Sequence, residues 1–259
     1  MEHSHIDEYA NLNSPLHRID PRIKLVSTIV FVVVVVLLDN FVLLFAAFAL
    51  VLFLTILSKV PLLHVFKRAE VVLPFIIFVA IVKLFTPGET VLTLNLGFAQ
   101  MRITGEGIMF ALLLLLRVMV AALALILLSS TTKFSDLLRG MSDLRVPKIL
   151  VQMLSFTYRY LFLFVDEAER MVLARKAKNF NARHLLNFRA MRTIGYTAAT
   201  IFLRSYDRAD RIYDGMLSKG YDSRNIITLT KFSAKKSDGI FLFLIVFFSA
   251  LLLGGTVWM

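Results

Sequence analysis

The stretch Ile108–Leu128 reads IMFALLLLLRVMVAALALILL and contains a single charged residue, Arg117. An apolar helix needs about 20 residues to cross the ~30 Å hydrocarbon core of a bilayer, and this stretch supplies them. The whole chain of 259 residues is 58% hydrophobic with a mean hydropathy of +0.75, whereas soluble domains are roughly 45–50% apolar. Charged residues make up only 18% of the chain, which is too few to cover a soluble surface. The sequence therefore predicts an integral membrane protein and argues against a soluble enzyme.

Four more apolar runs are candidate membrane spans. They are Leu25–Leu38, Phe41–Leu57, Val71–Phe85 and Ile240–Val257. Asp39-Asn40 separates the first two runs and predicts a tight turn within a helical hairpin. Between the third and fourth spans, Val91–Thr104 alternates apolar and polar residues around Gly97, which predicts a small β-hairpin on the outer face. We therefore predict an all-α integral membrane protein with about five transmembrane helices.

The positions of Lys and Arg orient these spans, because cytoplasmic loops are enriched in positive charge. Basic residues precede the first span and occupy a predicted loop at 58–70: Arg18, Arg22, Lys24, Lys59, Lys67 and Arg68. Arg102 is the only Lys or Arg among residues 86–107. Residues 129–238, in contrast, contain 20 Lys and Arg and 10 Asp and Glu. We expect a cytoplasmic amino terminus, a multi-pass location in the inner (plasma) membrane, and three regions: a four-span region (1–128), a basic cytoplasmic region (129–238) and a final span (239–259).

One apolar stretch within the basic region, Ile149–Val165, could be a sixth span. If it crossed the membrane, the 15 Lys and Arg of residues 166–238 would lie outside the cell, against the positive-inside rule. We therefore interpret this stretch as a helix at the inner interface or under the bundle.

The basic region also predicts two long helices. Pro147 suits a helix start, and nothing from there to Lys178 breaks a helix, so about 30 residues can be helical. A second stretch, Phe188–Lys219, follows a break around residues 179–187. Asn179 and Gly220 stand at the two predicted ends, and both residue types tolerate the left-handed conformation of a helix carboxyl end.

A shift of 41 residues aligns these two stretches without a gap. The matches are Asp166 with Asp207, Ala168 with Ala209, Glu169 with Asp210, Arg170 with Arg211, Ala177 with Ser218, Lys178 with Lys219, Asn179 with Gly220 and Phe180 with Tyr221. The repeat is interpreted as parallel, and it predicts two similar helix tips that suit a partner with two similar sites. The alternative is that both helices coat an anionic membrane surface, which requires charge but no matched register.

Three phrases resemble a known family: SPLHRIDPRIKL (Ser14–Leu25), YRYLFLFVDEAERM (Tyr158–Met171) and FLRSYDRADRIYDGMLSKGYDS (Phe202–Ser223). Together with the order of parts, they resemble the transmembrane T component of energy-coupling-factor (ECF) transporters, closest to the cobalt/nickel branch. The resemblance implies a scaffold that joins two cytoplasmic ATP-binding-cassette ATPases to a substrate-capturing membrane S component. A small accessory membrane subunit is a further possible partner.

The resemblance also implies where the ATPases dock, because the family's coupling helices end in short Ala-Arg-Gly-like motifs. The corresponding tripeptides here are Ala177-Lys178-Asn179 and Ser218-Lys219-Gly220, and both carry Lys in place of Arg. Ala174-Arg175-Lys176 is a rival register for the first motif. Arg170 and Arg211, the arginines of the repeat, complete the predicted ATPase-docking set.

Several kinds of chemistry are absent from the sequence. There is no GxxxxGK[ST] phosphate loop, so ATP and its magnesium are expected on partner subunits and not on this chain. There is no cysteine, and none of the five histidines pairs with an acid inside a span, so we predict no metal site and no catalytic residue. Arg117 is expected to face the bundle interior or a partner, or to bond backbone carbonyls.

We therefore predict the non-catalytic scaffold of an ATP-driven importer for cobalt or nickel. The main alternative is a self-sufficient secondary transporter or channel, which predicts paired ionisable residues or broken helices near mid-membrane, and Arg117 alone supports it weakly. A nucleic-acid binder is disfavoured, because the basic region has interleaved acids and no recognisable reading motif.

Overall fold

The computed structural model describes residues 9–10, 12–84, 90–95, 100–178, 188–222 and 236–258. Its elements are α1 (Pro21–Leu37), α2 (Phe41–Leu57), α3 (Leu62–Glu70), α4 (Leu73–Leu84), β1 (Thr90–Asn95), β2 (Gln100–Thr104), α5 (Gly105–Thr131), α6 (Phe134–Asp143), α7 (Lys148–Ala177), α8 (Phe188–Ser218) and α9 (Lys236–Trp258). The predicted all-α membrane class is confirmed. The chain forms two compact units, Met1–Gly140 with Phe232–Met259, and Met141–Lys231.

Helices α1 and α2 of the first unit each begin at an amino-terminal cap. The Asp20 side chain accepts a hydrogen bond from the Arg22 N–H at 2.9 Å and Pro21 opens the helix, so α1 begins there. The Asn40 side chain accepts a hydrogen bond from the Val42 N–H at 2.9 Å and starts α2. The helices are thus joined by residues 38–40, which confirms the predicted turn at Asp39-Asn40, but the two helices pack mainly against α5 and α9 and not against each other as the predicted hairpin requires.

Helix α5 lies at the centre of the first unit. It packs against α1, α2, α3 and α4, and α1 also packs against α9. The core contains fully or almost fully buried residues from α1, α2, α5, α9 and the turn after α1: Val35, Leu38, Leu44, Ala47, Val120, Leu123 and Leu252. The stretch on which the membrane prediction rests is therefore the helix around which this unit is built.

The predicted loop at 58–70 is wrong for residues 62–70, which form the short helix α3. Val65 and Ala69 lie four residues apart on one helical face and are buried, and α3 packs against α5. Lys67 and Arg68 occupy its last turn, where positive charge is favourable. Two buried positions are a weak periodic signal beside three basic residues, which is why the segment resembled a charged loop.

Three described helical segments are long and apolar enough to cross a membrane, by length and composition alone: α5, α7 and residues Asp238–Thr256 of α9. Helix α2 and residues Leu73–Val82 of α4 are apolar but shorter. At ~1.5 Å per residue α4 is about 18 Å long, against the ~30 Å of hydrocarbon. The third predicted span, Val71–Phe85, is therefore helical over a shorter stretch than expected, and the count of five spans stays a prediction.

The predicted β-hairpin between the third and fourth spans is confirmed at the level of the backbone. Strands β1 and β2 pair antiparallel, with Leu92 opposite Ile103 and Asn95 opposite Gln100, and the register shifts between Thr90 and Leu92. Its predicted position on the outer face stays a prediction.

Candidate functional site

The first predicted docking tip is the carboxyl end of α7. This helix begins directly after Pro147 and ends at Ala177, after 30 residues, as the sequence predicts. The Lys178 N–H donates a hydrogen bond to the Arg175 carbonyl at 3.0 Å and closes the last turn. Arg175 and Lys176 also lie in that turn, where their charges complement the negative end of the helix dipole. The tip is therefore cationic.

The second predicted tip is the carboxyl end of α8, which ends at Ser218. The Tyr221 N–H donates to the Met216 carbonyl at 3.0 Å and the Gly220 N–H donates to the Leu217 carbonyl at 2.9 Å, which together form a Schellman motif. Gly220 has φ +75°, a conformation that glycine adopts without strain. The prediction that Gly220 closes this helix in the left-handed region is confirmed.

The two tips follow the sequence repeat. Ala177 and Ser218, the last residues of the two helices, are 41 positions apart, which is the period of the repeat. Lys178 and Lys219 come next, and both are exposed. Asn179 lies outside the described residues. The two helices therefore end at the same position of the repeat, and each is followed directly by an exposed Lys.

Two contacts fix the relative direction of α7 and α8. Arg204 forms an ion pair with Glu167, and the Tyr221 hydroxyl donates a hydrogen bond to the Gln152 side chain at 2.8 Å. Position 204 therefore lies beside 167 and position 221 beside 152, so the helices run antiparallel. The interpretation of the repeat as parallel is wrong for the folded copies, because pairing in sequence does not constrain the direction of packing.

This antiparallel arrangement separates the tips widely. Tyr221, next to the second tip, contacts Gln152 near the start of α7, whereas the first tip is at Ala177. The helical segment between these two positions of α7 is about 38 Å long at ~1.5 Å per residue. The pair thus carries, at its opposite ends, two tips that each have a Lys directly after the last helical residue. The last turn of α7 also contains Arg175 and Lys176, whereas the last turn of α8 contains no basic residue.

The other predicted docking residues lie further from the tips. Arg175 is half-buried in the last turn of α7, whereas Lys178 is exposed. Arg170 and Arg211 are exposed and each stands seven residues before the end of its helix, or about 10 Å at ~1.5 Å per residue. Arg211 lines a cavity between α7 and α8.

Comparison with known proteins shows which family the chain belongs to. A model of the CbiQ family, described as cobalt transport protein, matches residues 12–229. The chain belongs to this family. It is 30% identical over 230 residues to the energy-coupling factor transporter transmembrane protein EcfT of Listeria innocua, which covers 85% of this chain and 86% of the relative. It is 29% identical over 168 residues to the cobalt transport protein CbiQ of Rhodobacter capsulatus, covering 64% of this chain and 68% of that protein.

The resemblance to the T component of ECF transporters is therefore confirmed, and this CbiQ-family chain is a membrane component of an ECF-type or cobalt transport system. An uncharacterized protein of Methanocaldococcus jannaschii is also similar, with 29% identity over 255 residues, which is 97% of this chain and 86% of that protein.

Sequence reasoning singled out the apolar stretch Ile149–Val165 of α7 but missed the exposed apolar side chains of α8 in this CbiQ-family chain. Large side chains on both helices are more than half exposed: Met153, Leu173, Met191, Phe202, Leu203, Tyr206 and Tyr213. No residue of α7, which is described along its whole length, is fully buried. In a membrane protein such exposed apolar side chains face lipid or a partner protein.

Arg117 bonds within the chain. One of its terminal nitrogens donates to the Leu38 carbonyl at 2.5 Å and to Oδ1 of Asp39 at 2.6 Å, so it connects α5 to the turn between α1 and α2. Of the interpretations that the sequence allowed, the bond to a backbone carbonyl is the one observed. The partner residues come from a turn 78 positions away, so their proximity was invisible in the sequence.

A buried polar network at the amino-terminal end of α1 was also missed. Lys24, only 3% exposed, donates to the Thr131 carbonyl at 2.9 Å and to the Thr132 hydroxyl at 3.1 Å. The Asp20 N–H donates to Oδ1 of the buried Asp238 at 3.3 Å. These bonds link the start of α1 to the end of α5 and the start of α9. The sequence analysis used Lys24 as an orienting surface charge, whereas it is a buried link between helices.

His17 lies in a 3₁₀ turn, Leu16–Arg18, before α1. Its Nε2 donates to the Tyr9 carbonyl at 2.9 Å, and its Nδ1 lies 2.7 Å from the Ser14 hydroxyl, which suits the neutral imidazole. Burial lowers the pKa of His17 below its ordinary value, against the opposing hydrogen bond to Tyr9. Among the described residues, no three His, Asp or Glu side chains meet in a cluster that could hold a metal ion.

Proposed function

We propose that this chain is the non-catalytic scaffold of an ATP-driven ECF importer for cobalt or nickel. In this proposal two cytoplasmic ATPase subunits bind the tips around Lys178 and Lys219, and a membrane S component captures the ion. ATP and magnesium belong to the ATPases, since the chain has no phosphate loop. A small accessory membrane subunit completes the complex.

The observation that carries the proposal is the pair of similar tips at opposite ends of an antiparallel helix pair. Reversal of one helix relative to the other relates the tips by an approximate two-fold axis, and two-fold symmetry is the commonest symmetry of protein dimers. Two copies of one ATPase, or two similar ATPases, present two similar sites related in this way. A membrane-coating function would require charge but would not require matched tips at the same repeat position.

The proposed mechanism is mechanical. ATP-driven closure of the ATPases moves the two tips relative to each other, and the long helices transmit that motion. The ion pair between Glu167 and Arg204 joins α7 to α8, so the helices respond together. The exposed apolar surface of the pair is suited to contact the S component, whose reorientation then opens the ion site to the cytoplasm.

The proposed orientation follows from charge. In this proposal the complex lies in the inner membrane and the amino terminus is cytoplasmic. The basic region of residues 129–238 is then cytoplasmic as well, on the side of the membrane where ATP is available. The tips are then accessible to soluble ATPases.

Affinity purification of the tagged full chain from its native membranes tests the proposal. We expect ATPase subunits at about two per scaffold, together with a further membrane protein that binds cobalt or nickel. The variant Lys178→Glu/Lys219→Glu should lose the ATPases and metal uptake, because reversed charge opposes both docking contacts. Arg159→Glu, an exposed reversal in the middle of α7, should retain them. A chain that purifies alone and still transports in liposomes would contradict the proposal and favour a secondary transporter.

A further inference from the structure

A polar cavity of about 270 Å³ lies between α7 and α8, away from both tips. Three arginines of α8 line it: Arg204, Arg208 and Arg211. Their spacing of four and three residues places them on one face of the helix, directed toward α7. The convergence of three guanidinium groups on one cavity is a separate feature from the docking tips.

The cavity carries an excess of positive charge. Among the described residues, Glu167 is the only acid in its lining, and it pairs with Arg204. Within the described part of the chain Arg208 and Arg211 form no ion pair, and Asp207, beside them on α8, forms none either. Three arginines against one carboxylate leave a formal charge of +2. Like charges at these helical spacings repel, although Asp207 and Asp214 on the same helix lie three or four residues from Arg204 or Arg211 and offset part of this repulsion.

The sequence repeat accounts for only one of these arginines, since Arg211 matches Arg170. Forty-one positions before Arg204 and Arg208, α7 has Leu163 and Glu167. The copies therefore match at the tips but differ at this cavity. A function confined to docking two similar partners gives no reason for this difference.

We propose that the arginine cavity binds a phosphate-bearing anion. Guanidinium groups form bidentate, charge-assisted hydrogen bonds with phosphate oxygens, both those of a monoester with a charge of about −1.5 to −2 and those of a singly charged phosphodiester. The remaining wall is apolar and is formed by Leu163, Phe164 and Ile201. The phosphate group comes either from a soluble phosphate compound or from the headgroup of an anionic phospholipid.

Binding to the full chain in neutral detergent, after removal of lipid, tests this proposal with two probes. Inorganic phosphate is titrated by calorimetry, and bound phosphatidylglycerol is counted against phosphatidylcholine by native mass spectrometry. We expect Arg208→Gln/Arg211→Gln to weaken binding of the preferred probe by about tenfold or more. Phosphate binding alone identifies a soluble ligand, and preferential phosphatidylglycerol binding identifies the lipid headgroup.

Arg192→Gln is the matched control, since Arg192 is an arginine on the same helix whose side chain contacts Tyr196 outside the cavity. It should bind the probe as the wild type does. The proposal is overturned if the wild type binds neither probe, if the double variant binds as well as the wild type, or if Arg192→Gln loses as much affinity. Arg208→Lys, which keeps the charge, should recover part of the affinity lost in Arg208→Gln, so a loss caused by misfolding is recognisable.

Discussion

Helix α5 in the first unit is packed against four other helices, whereas α7 in the second unit packs against α8 alone among the larger described contacts of its unit. In the most apolar 18-residue window of each helix, 33% of α5 is buried and none of α7 is. The first unit therefore obtains its stability from its own core. The second has no fully buried residue on α7, and the Glu167–Arg204 ion pair and the Tyr221–Gln152 hydrogen bond join its two long helices.

The largest expected difference between the two units is the loss of stability when a leucine of each is replaced by alanine. Leu252 of α9 is 1% exposed within the core, and Leu203 of α8 is 63% exposed. Leu252→Ala should destabilise the chain by about 2 kcal/mol, at the low end of the range for buried leucines because lipid also solvates apolar groups. Leu203→Ala should change stability by less than ~0.5 kcal/mol but weaken capture of the proposed S component. Thermal unfolding of both variants in detergent measures the two losses of stability. Equal losses would contradict the expected difference between the units.

The bond network of Arg117 tests whether the first unit also depends on polar links. Arg117→Gln removes the donor from the Leu38 carbonyl and from Asp39, so we expect a loss of about 1–3 kcal/mol. Asp39→Asn is the control, because the Asp39 side chain is 88% exposed and such pairs contribute roughly 0–1 kcal/mol. Thermal unfolding of both variants under the same conditions measures the two losses of stability. A larger effect in Asp39→Asn would show that the carbonyl bond is unimportant.

The same difference explains which features could be predicted from the sequence. Helix ends that depend on neighbouring residues could be predicted. Examples are Pro147 before α7, Gly220 after α8 and the turn at Asp39-Asn40. The 41-residue repeat likewise located two matching helix ends. These signals operate within a few residues, so one sequence contains them.

Features that depend on distant residues could not be predicted. Lys24 bonds Thr131 and Thr132 more than 100 positions away, and the antiparallel direction of the repeat is set by contacts such as Tyr221 with Gln152. Helix α3 was missed because only two of its positions are buried. The family resemblance supplied a role for the tips but gave no geometry, which came from the folded helix pair.

Substitutions at two glycines near the second tip test whether the conformation of Gly220 alone determines where α8 ends. Gly220 has φ +75°, so Gly220→Ala should weaken the Schellman turn by about 1–2 kcal/mol. Gly215 lies inside α8 with open space around it, so Gly215→Ala should stabilise the helix by roughly 0.5–1 kcal/mol. Hydrogen exchange of the amides at the end of α8 in the full chain measures both effects. If Gly220→Ala increased protection as Gly215→Ala does, the left-handed conformation would not define the tip.

The smallest expected effect is a dependence on pH that belongs to the first unit. Burial holds the pKa of His17 below its ordinary value of about 6.5, so the unfolded chain binds more protons than the folded one as the pH falls below that value. The stabilisation is therefore complete above about pH 6.5 and is lost as the pH falls through the folded pKa. His17→Gln cannot titrate, so the difference in apparent unfolding temperature between the wild type and this variant should shrink from about pH 7.5 to about pH 5. A difference that stayed constant over this range would show that the imidazole does not change charge on unfolding, and that the hydrogen bonds to Ser14 and Tyr9 do not depend on its neutral form.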